Sequence, residues 1–175
     1  MVSSLSGISP RHFALYVVRD TLARLAGPDV PGIDSPSAVE LLVGIAAQES
    51  GFRALDQITG PNDTRLGPAY GLYQIEPATR ADIHANFLRH RPALNERVCR
   101  LLAADPSPDH QLATNLAYAT AIARLVIYRS PYRLAAPGDV AGHAWIWKQA
   151  YNTPRGKGTT EDFVRNWDRL VAGSL

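Results

Sequence analysis

Cysteine is nearly absent from this sequence, because Cys99 is the only one in 175 residues. A single thiol excludes an intramolecular disulfide, and the helical pattern around it, Glu-Arg-Val-Cys-Arg-Leu-Leu, favours a structural thiol over a nucleophile. The chain also lacks an apolar run long enough to cross a membrane as a helix. We therefore expect neither redox chemistry nor membrane insertion.

Clustered histidines and a strong net charge are missing as well. The five histidines do not have the spacing of metal ligands; they are His12, His84, His90, His110 and His143. The formal charge of +2 is far short of a nucleic-acid footprint, although a pI near 8.9 could help the chain to approach an anionic polymer. We expect no metal, no cofactor and no nucleic-acid partner.

Two common catalytic motifs are incomplete. Around Ser50, the glycine positions of a serine-hydrolase elbow (Gly-x-Ser-x-Gly) are occupied by Gln48 and Phe52. The run from Gly156 to Thr159 lacks the upstream glycine of a phosphate-binding loop, and its lysine is followed by glycine. We interpret residues 156–159 as a flexible basic loop.

What is present is the composition of a globular protein, with 46% apolar and 19% charged residues. No repeat or domain boundary is visible, so we expect one domain over residues 1–175. The apolar periodicity predicts a mainly α fold, with turns and only short strands between Phe52 and Tyr70. The expected helices run from Ser9-Pro10 to Gly27, from a capping box at Ser37 to Gly51, from Pro77 to about His90, from Leu94 to Ala104, from Ser107-Pro108 onward, from Val140 to Tyr151 and from Thr160 to Ala172.

One apolar helical run ends on a carboxylate. Ile45 and Leu42 lie four and seven residues before Glu49, so the acid continues the face that should be buried. Gly51 is a typical helix stop, which puts Glu49 in the last turn, at the edge of the core and beside a cleft. Partial burial should raise its pKa toward neutrality, where it can donate a proton. The alternative is a surface glutamate that bends into solvent.

Further short motifs follow Glu49 in a fixed order. Glu49-Ser50-Gly51-Phe52 is followed by Gly71-Leu72-Tyr73-Gln74-Ile75, Pro77-Ala78-Thr79, Asn115-Leu116 on a long helix and Ala150-Tyr151-Asn152. This set resembles the lytic transglycosylases of the soluble and goose-type-lysozyme kind. Their pattern is Glu-Ser-x-Phe, Gly-Leu-Met-Gln-(Ile/Leu)-x-Pro-x-Thr, Asn-Ile/Leu and Ala-Tyr-Asn-Ala-Gly. The resemblance covers roughly residues 37–159 of the chain.

The resemblance implies a single-domain lysozyme-like fold, with a small turn-rich or short β lobe over the cleft. It also implies cleavage of the β-1,4 bond between N-acetylmuramic acid (MurNAc) and N-acetylglucosamine (GlcNAc) in peptidoglycan. Glu49 would be the general acid and base, with the Tyr151 hydroxyl nearby as the second catalytic group. The implied substrate-binding residues are Ser50, Gly71, Leu72, Tyr73, Gln74, Asn115 and Asn152.

Several of these residues also have a structural interpretation, and the chain departs from the family pattern. Ser50 could cap a helix end, Asn115 could pair inside the fold, and Tyr151 could be a core aromatic residue. Tyr73 stands where the family has Met, Glu76 stands where it has an apolar residue, and Thr153-Pro154-Arg155-Gly156 replaces Ala-Gly-x-Gly. Trp145 and Trp147 could stack on sugars, but at i and i+2 in one helix they point apart, so at most one should line the site.

The type of reaction depends on a second carboxylate. Direct hydrolysis needs one at roughly 5–9.5 Å from the acid, and the candidates are Asp56, Asp63 and Glu76. The two aspartates lie in a turn-rich loop, and Glu76 fits a helix start before Pro77. In the family the substrate's N-acetyl group takes this place, and a 1,6-anhydro ring forms. We therefore predict a lytic transglycosylase, with a hydrolytic muramidase that uses Asp63 or Glu76 as the alternative.

The start of the chain bears on where it acts. Residues Met1–Pro10 lack the basic and apolar regions of a signal peptide. We expect a phage protein that is made in a host cytoplasm and acts on the cell wall, as a virion component or after release at lysis. Its partners would be glycan strands and other virion proteins. A virion or tail protein that keeps the fold only for binding, and a chitinase-like enzyme, are the rival hypotheses.

Overall fold

Helices account for most of the residues that the computed structural model describes, which are 7–53, 55, 67–152 and 156–175. The predicted mainly helical class is confirmed. In chain order the α-helices are α1 (Pro10–His12), α2 (Arg19–Leu25), α3 (Pro36–Ser50), α4 (Pro77–Asp82), α5 (Pro92–Cys99), α6 (Gln111–Thr114), α7 (Leu116–Tyr128), α8 (Val140–Ile146) and α9 (Thr160–Leu170). The π-helical turns Phe13–Val18, Ile83–Phe87 and Trp147–Tyr151 and the 3-10 turn Leu88–His90 continue these helices.

Regular β structure is minimal in the described ranges, where an isolated antiparallel bridge joins Tyr70 to Ile75. The short strands expected after Phe52 fall mostly on residues 56–66, which lie outside the described residues. No described helix has both the length and the apolar character that a membrane crossing requires.

The helix that carries Glu49 begins earlier than predicted. Its N-cap is Ser35, whose side chain accepts a hydrogen bond from the N–H of Ala38 at 3.3 Å. Pro36 then takes the first helical position, where the missing N–H costs no intrahelical bond. The capping box at Ser37 was therefore wrong. Glu40, its other member, instead accepts a hydrogen bond from the N–H of Gly138, and its Oε2 lies 2.9 Å from Nε2 of His143 in α8.

The predicted long helix after Ser107 is interrupted. Asn115, between α6 and α7, has an extended backbone (φ −121°, ψ 93°), and its Oδ1 accepts from the N–H of Tyr118 at 3.0 Å. Asparagine competes for backbone hydrogen bonds, so it favours a cap over a helix interior. The expectation that Asn115 lies inside a helix was wrong, because it is the N-cap of α7.

Other boundaries agree more closely with prediction. Helical structure continues from Pro77 to His90 and from Val140 to Tyr151, although both segments include a π-helical turn. α9 starts with a capping box formed by Thr159 and Asp162. α5 is shorter than expected, since it ends at Cys99, which is exposed.

α3 lies at the centre of the hydrophobic core. All residues from Leu41 to Ala47 are buried, and α3 packs against the first π-helical turn, α7, α8 and α9. Gly44 lets α9 approach closely, since a β-carbon at this position would lie 2.4 Å from Cζ of Phe163. This packing fixes the last turn of α3 at the edge of the core.

Candidate active site

Glu49 lies where α3 leaves the core. Leu42 and Ile45 on the same face are fully buried, whereas Glu49 is partly exposed. The helix stops at Gly51, which has a left-handed backbone (φ +58°) and donates its N–H to the carbonyl of Ala47. The predicted position of the acid, in the last turn at the edge of the core, is confirmed.

The Glu49 carboxyl group accepts a hydrogen bond from an indole. Nε1 of Trp147 donates to Oε1 of Glu49 at 2.7 Å. Burial raises the pKa of Glu49 from 4.5 to about 7, while the Trp147 N–H lowers it by stabilising the carboxylate. The predicted direction is confirmed. Near neutral pH the group is divided between its acid and its carboxylate form, which suits a residue that first donates a proton and then accepts one.

Packing fixes the direction of the Trp147 N–H. Trp147 is 1% exposed, and its ring lies against Phe163 with centroids 5.5 Å apart. Gly158 packs against the same indole, since a β-carbon there would be 2.7 Å from Cη2. Trp145 is 48% exposed and does not share this setting, so the prediction that the two indoles point apart is confirmed.

Tyr151 follows Trp147 by four residues in the same π-helical turn. Its hydroxyl donates a hydrogen bond to the backbone carbonyl of Tyr73 at 2.7 Å. Burial and, next in size, the nearby charges of Glu49 and Tyr73 raise the pKa of Tyr151 well above its usual value. Tyr151 is therefore neutral at physiological pH and already engaged as a donor. This arrangement favours a positioning role for Tyr151 over proton transfer.

The run from Tyr70 to Ile75 forms a tight turn against α6. Backbone hydrogen bonds of 3.0 Å in both directions join its two ends, and the Gln74 side chain donates to the Gly71 carbonyl at 2.9 Å. A β-carbon on Gly71 would lie 1.9 Å from the carbonyl oxygen of Leu112, and the φ of Gly71 is +74°. The backbone therefore requires glycine here, which assigns Gly71 a structural role.

Side chains of this turn point to two sides. Leu72 and Tyr73 are 1% and 0% exposed, and the Tyr73 hydroxyl accepts a hydrogen bond from Oγ1 of Thr120 at 3.1 Å. Both side chains face the core, which favours a structural role for them; substrate binding by these two residues stays a prediction. Gln74, which has a φ of +49°, is partly exposed, unlike Leu72 and Tyr73.

A surface cavity of about 360 Å³ adjoins the turn. Its size is within the range of small-ligand sites. Glu49 is not among the lining residues, but one of them, Tyr151, lies close enough to Glu49 for the Glu49 charge to raise its pKa. Four predicted site residues, Gln74, Glu76, Tyr151 and Asn152, meet at this cavity. The lining residues are Gln74, Ile75, Glu76, Thr79, Val126, Tyr151 and Asn152.

Ser50 and Asn115 are occupied by structural hydrogen bonds. Oγ of Ser50 donates to the carbonyl of Ala46 at 3.0 Å and accepts from the N–H of Phe52 at 3.2 Å, which closes the end of α3. Besides capping α7, the Asn115 amide donates to the carbonyl of Leu101 at 2.8 Å. These bonds favour the structural interpretation of both residues over direct substrate binding.

Gly156 and Gly158 lie against the last π-helical turn. Nζ of Lys148 donates to the carbonyls of Gly156 and Gly158 at 2.7 and 2.8 Å, and Nδ2 of Asn152 donates to the latter at 3.1 Å. These hydrogen bonds hold the carbonyls of both glycines against the helix, and the flexibility of residues 156–159 stays a prediction. Asn152 both lines the cavity and positions the segment that packs on Trp147, whereas residues 153–155 lie outside the described ranges.

One of the three candidate second carboxylates can be located. Glu76 is the N-cap residue before Pro77, as predicted, and its exposed side chain lines the cavity. Asp56 and Asp63 lie outside the described residues. In the part of the chain that the structure describes, no three or more His, Cys, Asp or Glu side chains form a group that could hold a metal ion.

Trp147 is the site residue whose role the motifs did not indicate. From the sequence it was only a candidate for sugar stacking. The signal that points to its position is the i, i+4 spacing to Tyr151, since residues four apart share a helix face. Its contact with Glu49 joins positions 98 residues apart, which no local pattern encodes.

Comparisons of the chain with family models, with curated proteins and with solved structures found no match. The interpretation of the site therefore depends on its own geometry and on the ordered motifs of the sequence.

Proposed function

We propose that this chain is a peptidoglycan lytic transglycosylase with a lysozyme-like fold, in which Glu49 is the general acid and base. The observation that supports it best is the setting of Glu49, a partly buried carboxyl group that accepts a hydrogen bond from Trp147 and has a pKa of about 7. Carboxyl groups whose pKa is shifted this far by burial are found preferentially at catalytic sites. A surface glutamate would keep its usual pKa.

The proposed reaction begins with proton transfer from Glu49 to the oxygen of the MurNAc–GlcNAc β-1,4 bond. The bond between C1 of MurNAc and this oxygen breaks, and GlcNAc leaves with a free 4-hydroxyl. The Glu49 carboxylate then takes the proton of the MurNAc 6-hydroxyl, whose oxygen attacks C1 and closes a 1,6-anhydro ring. Glu49 returns to its acid form, and no water is consumed.

Two opposing effects suit Glu49 to both steps. Burial favours the acid form that donates the first proton, and the Trp147 N–H favours the carboxylate that accepts the second. A pKa close to the working pH gives the highest efficiency of such a group. Tyr151 supports the same site indirectly, because it fixes the turn that presents Gln74 to the cavity.

One observation favours a second candidate, a hydrolytic muramidase. The Glu76 carboxylate lines the same cavity as Tyr151, so it could act as the nucleophile or as the base for a water molecule. Asp63 is the other candidate for this role. Hydrolysis leaves reducing ends, whereas the transglycosylase leaves anhydromuramoyl ends that are lighter by one water molecule.

Glu49→Gln tests the catalytic assignment. The amide keeps an oxygen for the Trp147 N–H but cannot donate an acidic proton, so peptidoglycan cleavage should fall by about 10²–10⁴-fold. Glu96→Gln is the matched control, because Glu96 is an exposed carboxylate that pairs with Arg100; it should clear a peptidoglycan gel like the wild type. Activity of E49Q within a few-fold of wild type removes Glu49 from the mechanism. A folded wild-type protein that clears nothing favours the binding-only virion protein.

Mass spectrometry of the digest separates the two reactions. Anhydromuramoyl ends should dominate, and Glu76→Gln should leave their yield within a few-fold of wild type. Reducing ends that disappear in E76Q would instead identify a muramidase. Phage origin and virion association stay predictions from the sequence.

A further inference from the structure

We propose that the groove between α8 and α9 binds one N-acetylhexosamine ring of a glycan strand outside the catalytic cleft, with Trp145 as its platform. The proposal rests on the proposed polymer substrate, but not on which reaction Glu49 performs.

Trp145 differs from the other two tryptophans in its exposure. Trp147 and Trp167 are 1% and 8% exposed, whereas Trp145 is 48% exposed. A large aromatic ring usually gains stability from burial, so an indole left half in solvent suggests a contact that is completed by a ligand. Tyr132 meets the Trp145 ring edge-on, with centroids 5.1 Å apart and planes at 80°. The indole orientation is therefore set before any ligand arrives.

The groove beside Trp145 has an apolar floor and a polar rim. Residues 141, 144 and 145 share one face of α8, and residues 160, 161, 164 and 165 share the facing side of α9. The two faces enclose a cavity of about 450 Å³, within the range of small-ligand sites. Ala141, Ala144 and Val164 supply the apolar surface, and Thr160, Glu161 and Arg165 supply the polar groups.

This combination matches a neutral sugar ring. A pyranose has a face of C–H groups, which packs on an indole, and a rim of hydroxyl and acetamide groups, which need hydrogen-bond partners. The Glu161 carboxylate accepts from the Thr160 hydroxyl and has further lone pairs for a sugar hydroxyl. The Arg165 guanidinium pairs with Asp162 and has further N–H groups for an acetamide carbonyl. The rim carries one charge of each sign, so it favours a neutral ligand over a phosphate or a cation.

A partner helix fits the groove less well. The apolar lining spans only about one turn of each helix, while helix-in-groove recognition uses anchors over i, i+3, i+4 and i+7. The groove is also separate from the site around Glu49. Trp147 is buried and contacts Glu49, whereas Trp145, which lines the groove, is exposed. A strand bound at both places would gain affinity by avidity. A substitution that disrupts the groove should therefore weaken binding to the polymer. It should leave the rate of cleavage of short soluble fragments unchanged.

Binding to purified peptidoglycan sacculi tests the proposal, measured in E49Q so that the polymer stays intact. Trp145→Ala should weaken binding about tenfold and leave turnover of short fragments by the otherwise wild-type enzyme within twofold. Tyr16→Ala is the matched control, because Tyr16 is a 69% exposed aromatic residue away from the groove; it should bind like its parent. Equal binding by W145A and its parent overturns the proposal, and so does an equal loss in Y16A.

A second measurement needs no change in the groove. Acrylamide quenching of tryptophan emission should report mainly on Trp145, because the other two indoles are buried. Saturating tetra-N-acetylchitotetraose, added to E49Q, should protect this emission, and absence of protection overturns the proposal. The two proposals fail separately. Cleavage of sacculi by E49Q contradicts the catalytic role of Glu49, whereas the W145A comparison and the quenching result decide the groove.

Discussion

Nε1 of Trp147 lies 2.7 Å from Oε1 of Glu49, so a buried indole from the end of the α8 segment is aimed at the last turn of α3. Burial of the carboxyl group and this single N–H act on its pKa in opposite directions. This contact should therefore affect both the pH dependence of the reaction and the free energy of unfolding, and both can be measured.

Replacing Trp147 by Phe should raise the pKa of Glu49 above 7. The substitution keeps an aromatic ring against Phe163 but removes the donor that stabilises the carboxylate. Hydrogen bonds to charged groups are worth about 1.5–3 kcal/mol, so an increase of about one to two pKa units is expected. The alkaline limb of the pH profile of kcat/KM should move to higher pH by the same amount, and carbon NMR of the Glu49 carboxyl group can follow the titration directly.

The control is Trp145→Phe, which alters an exposed indole that does not contact Glu49. Its pH profile should coincide with that of the wild type. A pKa of Glu49 that stays the same or falls in W147F contradicts the assigned role of the indole.

Stability should depend on pH through the same carboxyl group. Its pKa is about 7 in the folded chain and 4.5 when unperturbed, so the folded state binds this proton more tightly than the unfolded state. For a raised acid pKa, the contribution to stability is complete below about pH 4.5 and is lost as the pH rises through 7. Glu49→Gln should not lose this stability at high pH, because glutamine does not ionise. Its free energy of unfolding should match the wild type at pH 4 and exceed it by up to about 3 kcal/mol at pH 8.5.

Urea titrations at the two pH values measure this difference. Glu96→Gln, at an exposed carboxylate, should give the same difference from wild type at both pH values. If E49Q is no more stable than the wild type at pH 8.5, Glu49 is not held in an unfavourable charged state and the assigned burial is contradicted.

Local chemistry explains which parts of the fold were predictable. The helical segment from Val140 to Tyr151 and the end of α3 at Gly51 follow from apolar periodicity and from glycine, both of which act over a few residues. The start of α3 was misplaced because Ser35 and Ser37 both suit a cap, and the choice between them depends on Pro36. Asn115 was misplaced for a related reason, since its amide can cap a helix or pair inside one.

Local sequence patterns also predict only part of the candidate site. Glu49 was predictable because burial of its helix face follows from periodicity. The core-facing orientation of Leu72 and Tyr73 could not be predicted, because their motif does not specify which side of a turn each residue faces. The positive φ of Gly71 and Gln74 helps to set this orientation. The partner of Glu49, Trp147, depends on packing between distant helices.

Gly71→Ala should destabilise the fold far more than Gly138→Ala, which replaces a glycine of similar positive φ in open space. Both Gly71 and Gly138 have a positive φ, of +74° and +81°, but only at Gly71 would a β-carbon meet backbone, 1.9 Å from the Leu112 carbonyl oxygen. Gly138→Ala should cost about 1–2 kcal/mol of unfolding free energy from its backbone conformation. Gly71→Ala should add at least about 3 kcal/mol, because the turn or α6 must shift. Equal losses in the two variants, measured by urea unfolding, would show that the turn does not pack on α6 as described.

Tyr151→Phe should separate a positioning role from proton transfer. The variant removes the hydroxyl that donates to the Tyr73 carbonyl at 2.7 Å, and a carbonyl left without this donor costs about 1–3 kcal/mol of stability. Because the pKa of Tyr151 is far above neutrality, the residue carries no charge that could act on Glu49 in the working range. The pH profile of kcat/KM should therefore keep its shape in Y151F, with a loss of about tenfold from a turn that is less well fixed.

Tyr16→Phe removes a hydroxyl from an exposed residue, and it should change neither stability nor rate. A loss in Y151F as large as that in Glu49→Gln, together with a change in the shape of the pH profile, would instead make Tyr151 a proton donor. In that case its hydroxyl would have to release the Tyr73 carbonyl during the reaction, because a donor engaged with the backbone has no second proton to give.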